Sequence, residues 1–539
     1  MTSQALLSVP YVLRLTLLGV AALVLALPGA AAAPQSERIE AVRPHQPSVG
    51  QALQRLYAGN QAQLLWSGAG QAESAMALLR TAPAHGLDAS HYDVDALSIR
   101  HAQLTPGDAG GFDKALSEAM LQFLTDLHFG RVKPDFRLAP PEQRWQHFDA
   151  AQHLSQALAQ ARLATALDAA VPTIALYKRV QATLQHYRQL ATLAPPGFAL
   201  QGLPADGKLL PGKTYPGLRL LHQRLQLLGD FDAGKAIPEQ DQDRPSEPLT
   251  QALKHFQLRH GLAETGIVTR ETVAALGVPL AQRVRQLELT LERLRWMPPL
   301  RPGRIIVVNV AAYRLWAFNT AAGGAGEPLE MRVIVGKAAR TQTPLFIGQM
   351  SYLEFNPYWN VPRSIAVGEI APKLARNRSY LAQNQMELVS LAGQIQPGPA
   401  AASVAGLRSG ALRVRQRPGP HNVLGAVKFA MPNPMNIYLH STSAKELFGK
   451  MRRDLSHGCI RVERPHELAS FVLGDQAQWS AAKVEAAMAP GPTRTVRLSE
   501  AIPVVLFYAT AATDRAGHAL FAADIYRRDD LLDRALKAL

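Results

Sequence analysis

Ile437-Tyr438-Leu439-His440-Ser441-Thr442, followed after residues 443–455 by Ser456-His457-Gly458-Cys459-Ile460-Arg461-Val462, is the stretch on which the reading of this chain turns. Cys459 is the only cysteine in 539 residues. A thiol attacks only as thiolate, and a nearby imidazole can both remove its proton and stabilise the resulting charge. Two histidines, His440 and His457, precede Cys459 in sequence, and Gly458 lets backbone approach a substrate closely, so its amide and its neighbour's are candidate oxyanion donors. If the strand expected over Ile437–His440 ends beside the Ser456–Cys459 loop, it brings the His440 imidazole within reach of the thiol. His457 lies two residues from Cys459, and residues two apart in extended chain point the same way, so it is a rival base.

Working outward, alternation of apolar and polar residues predicts strands over 304–310, 314–318, 329–335, 345–355 and 437–440, so the region about 301–500 is mainly β. Between Val361-Pro362 and about Gly425 lies a long insert, helical over Val367–Arg376 and then rich in Gly, Pro and Ala, as at Pro397-Gly398-Pro399. Long inserts in compact domains often act as lids, so 363–425 is expected to cover the site. A decorative surface excursion is the alternative.

Upstream, residues 281–297 read as a linker helix (281–300) stopped at Trp296-Met297-Pro298-Pro299. Residues 206–280 hold Leu218, Leu221, Leu225 and Leu228 on one helical face. Two further helices follow, one carrying Phe256-Gln257 and closing at His260-Gly261, the other starting near Thr269. This order resembles a small three-helix peptidoglycan-binding domain, with Glu264-Thr265-Gly266 where that family usually shows Asp-Gly. Residues 34–205 repeat Ala, Leu and Gln at helical spacing and read as a helical scaffold. They show no carboxylate pair placed for glycoside hydrolysis.

The N-terminus has Arg14 as its sole charge, an apolar run Leu15–Leu27, then Pro28-Gly29 and Ala30–Ala33. The run is shorter than the roughly 20 residues a spanning helix needs, so residues 1–33 read as a cleaved signal peptide. Membrane contact is then expected only if the signal stays uncleaved, and the expected location is the periplasm or cell envelope. In an exported chain a lone cysteine is either a buried hydrophobe or a free working thiol. The net charge of +15 would fall only by the charge of Arg14, and such an excess favours anionic wall polymer or lipid over nucleic acid, which is not expected as a partner. His466-Glu467 lacks a second histidine four residues on, so no zinc-protease motif exists and no metal is expected.

His440, the residues 441–455, and Ser456-His457-Gly458-Cys459-x-Arg461 resemble the signature of the YkuD-type L,D-transpeptidase domain. Asn309-Val310, Gly336-Lys337, Thr343-Pro344, Asn356–Pro362, His85-Gly86-Leu87, Gly130-Arg131-Val132 and the tail Val504–Tyr508 to Asp524–Tyr526 are similar to its large YcbB-like branch. The implied fold is multidomain α+β: scaffold, peptidoglycan-binding-like unit, mainly β catalytic domain with a lid-like insert, and a C-terminal extension over 501–539.

The resemblance implies Cys459 as nucleophile, His440 as proton acceptor and donor, and His457 and Gly458 at the oxyanion site. It implies that Ser441 orients the base, with Arg461, Ser456, Tyr438 and Trp359 binding substrate. Many family members carry Asn where this chain has Arg461. The implied reaction forms 3→3 cross-links between peptidoglycan stem peptides through a thioester, with no cofactor and with carbapenem β-lactams as covalent inhibitors. The competing expectations are an L,D-carboxypeptidase, a lipoprotein-to-wall ligase or hydrolase, and a non-enzymatic wall-binding scaffold.

Overall fold

Ala- and Leu-rich segments at helical spacing build the N-terminal half. Helices α1–α7 span Val49–Ala58, Gln71–Leu79, Val94–Ala102, Ala109–Phe129, Ala150–Ala159, Ala164–Ala170 and Ala175–Leu193. The chain is described by a computed structural model covering residues 48–539 apart from 59–62, 133–147, 194–199, 201–203, 205, 211–212, 232–238, 240–241, 299–301, 322–326, 397–399 and 475–477. The expected signal segment and Pro397-Gly398-Pro399 lie outside the described residues. α4 is the scaffold's central rod: Leu116, Leu121, Phe123, Leu124 and Leu127 are all fully buried among its neighbours. α5 is started by Asp149, whose carboxylate accepts from the Ala151 and Gln152 N–H groups.

Helices α8–α10 (Gly217–Leu227, Glu247–Arg259, Arg270–Leu276) close a separate small core of Leu218, Leu221, Leu225, Leu253, Phe256 and Leu276. Ser246 and Thr269 cap α9 and α10. The Glu264-Thr265-Gly266 turn is closed by Gln257, which accepts from Gly266 N–H at 2.8 Å and donates to the Ile267 carbonyl at 2.8 Å.

Helix α11 (Leu280–Arg295), read from sequence as a linker, is a buried strut between domains. Glu292 Oε1 on it accepts from the Arg131 and Val132 N–H groups at 2.6 and 3.2 Å. Gly130 has φ +79°, and a Cβ there would fall 2.6 Å from Glu292 Oε1, so the Gly130-Arg131-Val132 motif is a docking site for the strut.

The C-terminal half alternates apolar and polar residues, and its strands are β1 Arg304–Asn309, β2 Arg314–Asn319, β3 Leu329–Gly336, β4 Phe346–Phe355, β5 Trp359–Asn360, β6 Met386–Ser390, β7 Leu412–Gln416, β8 Val427–Ala430, β9 Leu439–His440, β10 Asp454–Ser456, β11 Ile460–Val462, β12 Arg494–Phe507, β13 Ala511–Thr513 and β14 Ala519–Phe521. The main sheet runs β10-β3-β11-β9-β8-β4-β12-β1-β2, and a β3–β2 pairing closes it into a barrel-like arrangement. Its interior is filled by Val308, Leu315, Val333, Leu353, Phe355, Phe429, Leu439, Ile460 and Val504 among others.

β12 crosses the expected domain boundary at 500: it lies between β4 and parallel β1, so the C-terminal segment supplies part of the barrel. The last helix, Arg528–Lys537, carries Asp529 and Asp533, which pair with Arg293 and Arg285 of α11 at 2.5 and 2.6 Å.

The insert is a small subdomain. A three-stranded sheet, β5-β7-β6, packs with helices at Arg363–Ile365, Ala371–Arg376, Tyr380–Gln383 and Ala400–Ser409 around Ile370, Leu374, Leu388, Leu407 and Val414. Since β5 belongs to this sheet, the insert's structural unit begins at Trp359, before the expected Arg363. Among the described residues no helix is long and apolar enough to cross a membrane.

Candidate active site

β9 and β11 run side by side in parallel, with Leu439 opposite Ile460 and His440 opposite Arg461. Leu439 and Ile460 point inward and are fully buried in the barrel core. The strict alternation of a strand therefore turns His440 and Arg461 to the outer face. β8 and β4 extend that row, since Lys428 is opposite His440 and Glu354 opposite Lys428. Lys428 Nζ pairs with Glu354 Oε2 at 2.6 Å and lies 5.0 Å from the Tyr438 ring centroid. Cys459 is the residue just before β11, and its partly exposed thiol sits at the end of this polar row.

His440 is 5% exposed, and its Nδ1 is 2.6 Å from the Ser441 carbonyl oxygen. A carbonyl only accepts, so Nδ1 carries the hydrogen and Nε2 presents its lone pair. Ser441 is itself pinned: its hydroxyl donates to the Leu424 carbonyl at 2.8 Å and accepts from Val427 N–H at 3.0 Å. Burial, reinforced by the positive charge of Arg461, lowers His440 to about 3. Burial also pushes the Cys459 thiol above its ordinary value, although Tyr438, Lys428 and Arg461 act in the opposite direction. At neutral pH the resting pair is therefore neutral imidazole and neutral thiol. Both charged forms lose solvation in the buried face, which is why each shift runs towards the neutral form.

Tyr438 stands beside the sulfur and acts to hold the Cys459 thiol down against the effect of burial. Burial, together with the nearby Cys459, holds its phenol above the usual range, with Trp359 acting in the opposite direction. Its ring is 5.7 Å from that of His440. The Cys459 Sγ is 3.6 Å from the carbonyl oxygen of Asn436. Tyr438, expected as a substrate contact, thus stands beside the thiol itself. Arg461 is beside them with a buried Nε that has no hydrogen-bond partner among the described residues.

Ser456, also expected to bind substrate, is 2% exposed and fully occupied inside the loop. Its hydroxyl donates to the Cys459 carbonyl at 2.6 Å and accepts from Gly458 N–H at 3.1 Å. The Gly458 amide expected at an oxyanion is therefore engaged by Ser456 here, because φ +114° at Gly458 folds the loop back on itself. His457 points to the insert, where Nε2 meets Glu369 Oε1 at 2.6 Å.

Residues outside the motif hold this loop. Thr341 Oγ1 and Lys337 N–H both donate to the Ser456 carbonyl, at 2.9 and 3.0 Å. Thr343 Oγ1 donates to the Gly458 carbonyl at 2.8 Å. The C-terminal Tyr526 hydroxyl accepts from Thr343 N–H at 3.1 Å and donates to the Gly336 carbonyl at 2.5 Å. Glu369, Lys428 and Glu354 were missed in the sequence reading. The last two sit at polar positions alternating with core residues, in Leu353-Glu354-Phe355 and Val427-Lys428-Phe429, which is the signal that marks an outward pair. Glu369 gives no local signal. No group of three or more metal-ligating side chains is gathered among the described residues.

Residues 303–496 match the family described as "YkuD: L,D-transpeptidase catalytic domain", residues 51–184 the "Scaffold domain" and residues 214–276 the "Putative peptidoglycan binding domain". A protein of Haemophilus influenzae described as "Putative L,D-transpeptidase" is 31% identical over 281 residues, covering 51% of this chain and 55% of that protein. The chain thus spans little more than half the length of that relative. The crystal structure of the L,D-transpeptidase (residues 123–326) from Xylanimonas cellulosilytica aligns with 56% of this chain and 99% of that one, at 15% identity and a TM-score of 0.17.

Proposed function

We propose that this chain, which carries a YkuD L,D-transpeptidase catalytic domain in residues 303–496, is an exported enzyme that uses Cys459 to form 3→3 cross-links between peptidoglycan stem peptides. The observation that carries the cysteine reading is the buried His440, tethered through Nδ1 to the Ser441 carbonyl on the strand beside the Cys459 loop.

In this reading His440 Nε2 takes the thiol proton as sulfur attacks the carbonyl that joins the L-centre of the third residue to the terminal D-Ala. Proton transfer accompanies attack, since neither charged form is favoured at rest. Developing charge on sulfur is met by Tyr438, which favours the thiolate. With Gly458 N–H held by Ser456, the Cys459 N–H is the backbone donor left beside the carbonyl oxygen. The C–N bond breaks, the His440 imidazolium returns its proton to the departing D-Ala amine, and a thioester remains. The side-chain amine of a neighbouring stem then attacks the thioester, His440 accepts the amine proton, and sulfur leaves to be reprotonated. The cleaved peptide bond supplies the driving force, so no cofactor or nucleotide enters.

The unpartnered Arg461 Nε suits a substrate carboxylate, and the excess of positive charge suits an anionic wall. The 214–276 unit supports peptidoglycan as the substrate. The envelope location rests on the N-terminal apolar segment. Intact-mass analysis after incubation with disaccharide tetrapeptide tests the proposal. A Cys459 adduct equal to the donor less D-Ala, followed by a cross-linked dimer, is expected. Free tripeptide with no dimer in the presence of acceptor would replace it with a carboxypeptidase reading, and no adduct at all would refute the acyl-enzyme.

A further inference from the structure

The insert touches the catalytic loop at a point the reaction scheme leaves unused. Its first helical stretch runs from Arg363 to Arg376, but residues Ala366–Ile370 form a π-helical turn. Pro372 explains the widening: it lacks the N–H that would bond the Gly368 carbonyl, and its ring would crowd that carbonyl in a regular α-helix. Such turns recur at functional positions because they re-aim a side chain. Here the turn carries Glu369, whose Oε1 lies 2.6 Å from His457 Nε2, across 88 residues of sequence.

Charge makes the contact selective. Between Arg363 and Gly425 stand eight Lys or Arg residues and only two carboxylates, Glu369 and Glu387. Glu387 is held within the insert by Arg415 at 2.7 Å. Glu369 instead reaches out to the loop between β10 and β11. A carboxylate only accepts, so His457 Nε2 carries a hydrogen and is not a free base at that nitrogen.

We infer that Glu369 is a positioning residue: through His457 it latches the insert onto the Ser456–Cys459 loop, so that closure of the insert over a donor stem sets the orientation of the nucleophile. The inference rests on the acyl-transfer reading of the same loop. His457 is 33% and Glu369 43% exposed, which places the bond in the weak class that a moving lid can break and remake.

The test uses the whole chain and the variants Glu369→Ala, Glu369→Gln, His457→Ala and the double alanine variant. Two readouts are taken: kcat and KM for acylation by disaccharide tetrapeptide, and backbone hydrogen exchange over 363–376 and 456–460. Glu369→Ala is expected to lower kcat by about 2- to 5-fold, the scale of an exposed pair, with little change in KM. Glu369→Gln keeps an oxygen to accept the Nε2 hydrogen and should recover most of that loss. In the His457→Ala background, Glu369→Ala should cost nothing more, and either single alanine variant should speed exchange over 363–376. Fully additive losses, or exchange unchanged in both single variants, would overturn the latch. Wild type that never acylates would instead refute the reaction, while the exchange comparison would still decide the contact.

Discussion

The protonation state of His440 gives the sharpest test of the proposed chemistry. An imidazole at its ordinary pKa of about 6.5 is roughly three-quarters neutral at pH 7 and about 3% neutral at pH 5, so a base of that kind loses about 25-fold in rate over that interval. His440 is lowered to about 3 by burial and Arg461, so its neutral fraction is nearly unchanged between pH 7 and pH 5. Acylation of wild type by a carbapenem, followed by intact mass in a single turnover, should therefore be flat over that range. Alkylation by iodoacetamide needs preformed thiolate, and burial has pushed the thiol upward. Alkylation should thus climb about tenfold per unit from about pH 6 to the ordinary thiol pKa near 8.5. His440→Gln should slow acylation by about 10²–10⁴-fold, the usual contribution of a general base, and leave the alkylation profile nearly in place because no imidazolium is lost. A 25-fold fall in wild-type acylation with a midpoint near pH 6.5 would refute the neutral buried imidazole. A His440→Gln variant within tenfold of wild type would refute its role as base.

Cys459→Ala should form no cross-link and no carbapenem adduct while keeping its thermal midpoint; an adduct surviving in this variant would move the nucleophile elsewhere. Replacing the 363–424 insert by a short Gly-Ser linker should impair stem-peptide turnover far more than reaction with a small thiol reagent, and equal losses would favour a decorative insert. Buried histidines should make the fold acid-sensitive: burial holds His260 well below its ordinary value, and two others act in the same sense. Burial and Arg295 lower His85 to about 4, and His440 is lowered to about 3, while the unfolded chain protonates near pH 6.5. Their contribution is complete above pH 6.5 and is lost as pH falls towards 4 and 3, at about 2 kcal/mol each by pH 5. Urea midpoints at pH 7.5 and pH 5 check this, with His85→Gln expected to flatten the difference. Tyr526→Phe should destabilise by about 1–3 kcal/mol, because the Thr343 N–H and Gly336 carbonyl lose a buried partner, and unchanged stability and acylation would deny it any part in holding the loop.

What the sequence by itself determined is local. The alternation in 304–310, 314–318, 329–335 and 345–355 marked four barrel strands, because a strand with one face in a core must repeat every second residue. The helical spacing of Leu218, Leu221 and Leu225 marked the small three-helix unit in the same way, and the lone Cys459 just after two histidines marked where to look for chemistry. Strands β6 and β7 were missed in the Gly- and Pro-rich insert, although Leu412-Arg413-Val414-Arg415 alternates, since its core partners come from helices dispersed along the insert. Only the tertiary structure decided that β12 closes the barrel beside β1, that α11 is a strut, and that Ser456 is consumed within its own loop. Only it aimed His440 Nε2, through a neighbouring carbonyl, and placed Glu369 on His457. The division follows from range: periodicity is written in adjacent residues, whereas desolvation, strand register and a hydrogen bond spanning 88 residues exist only once distant segments are packed together.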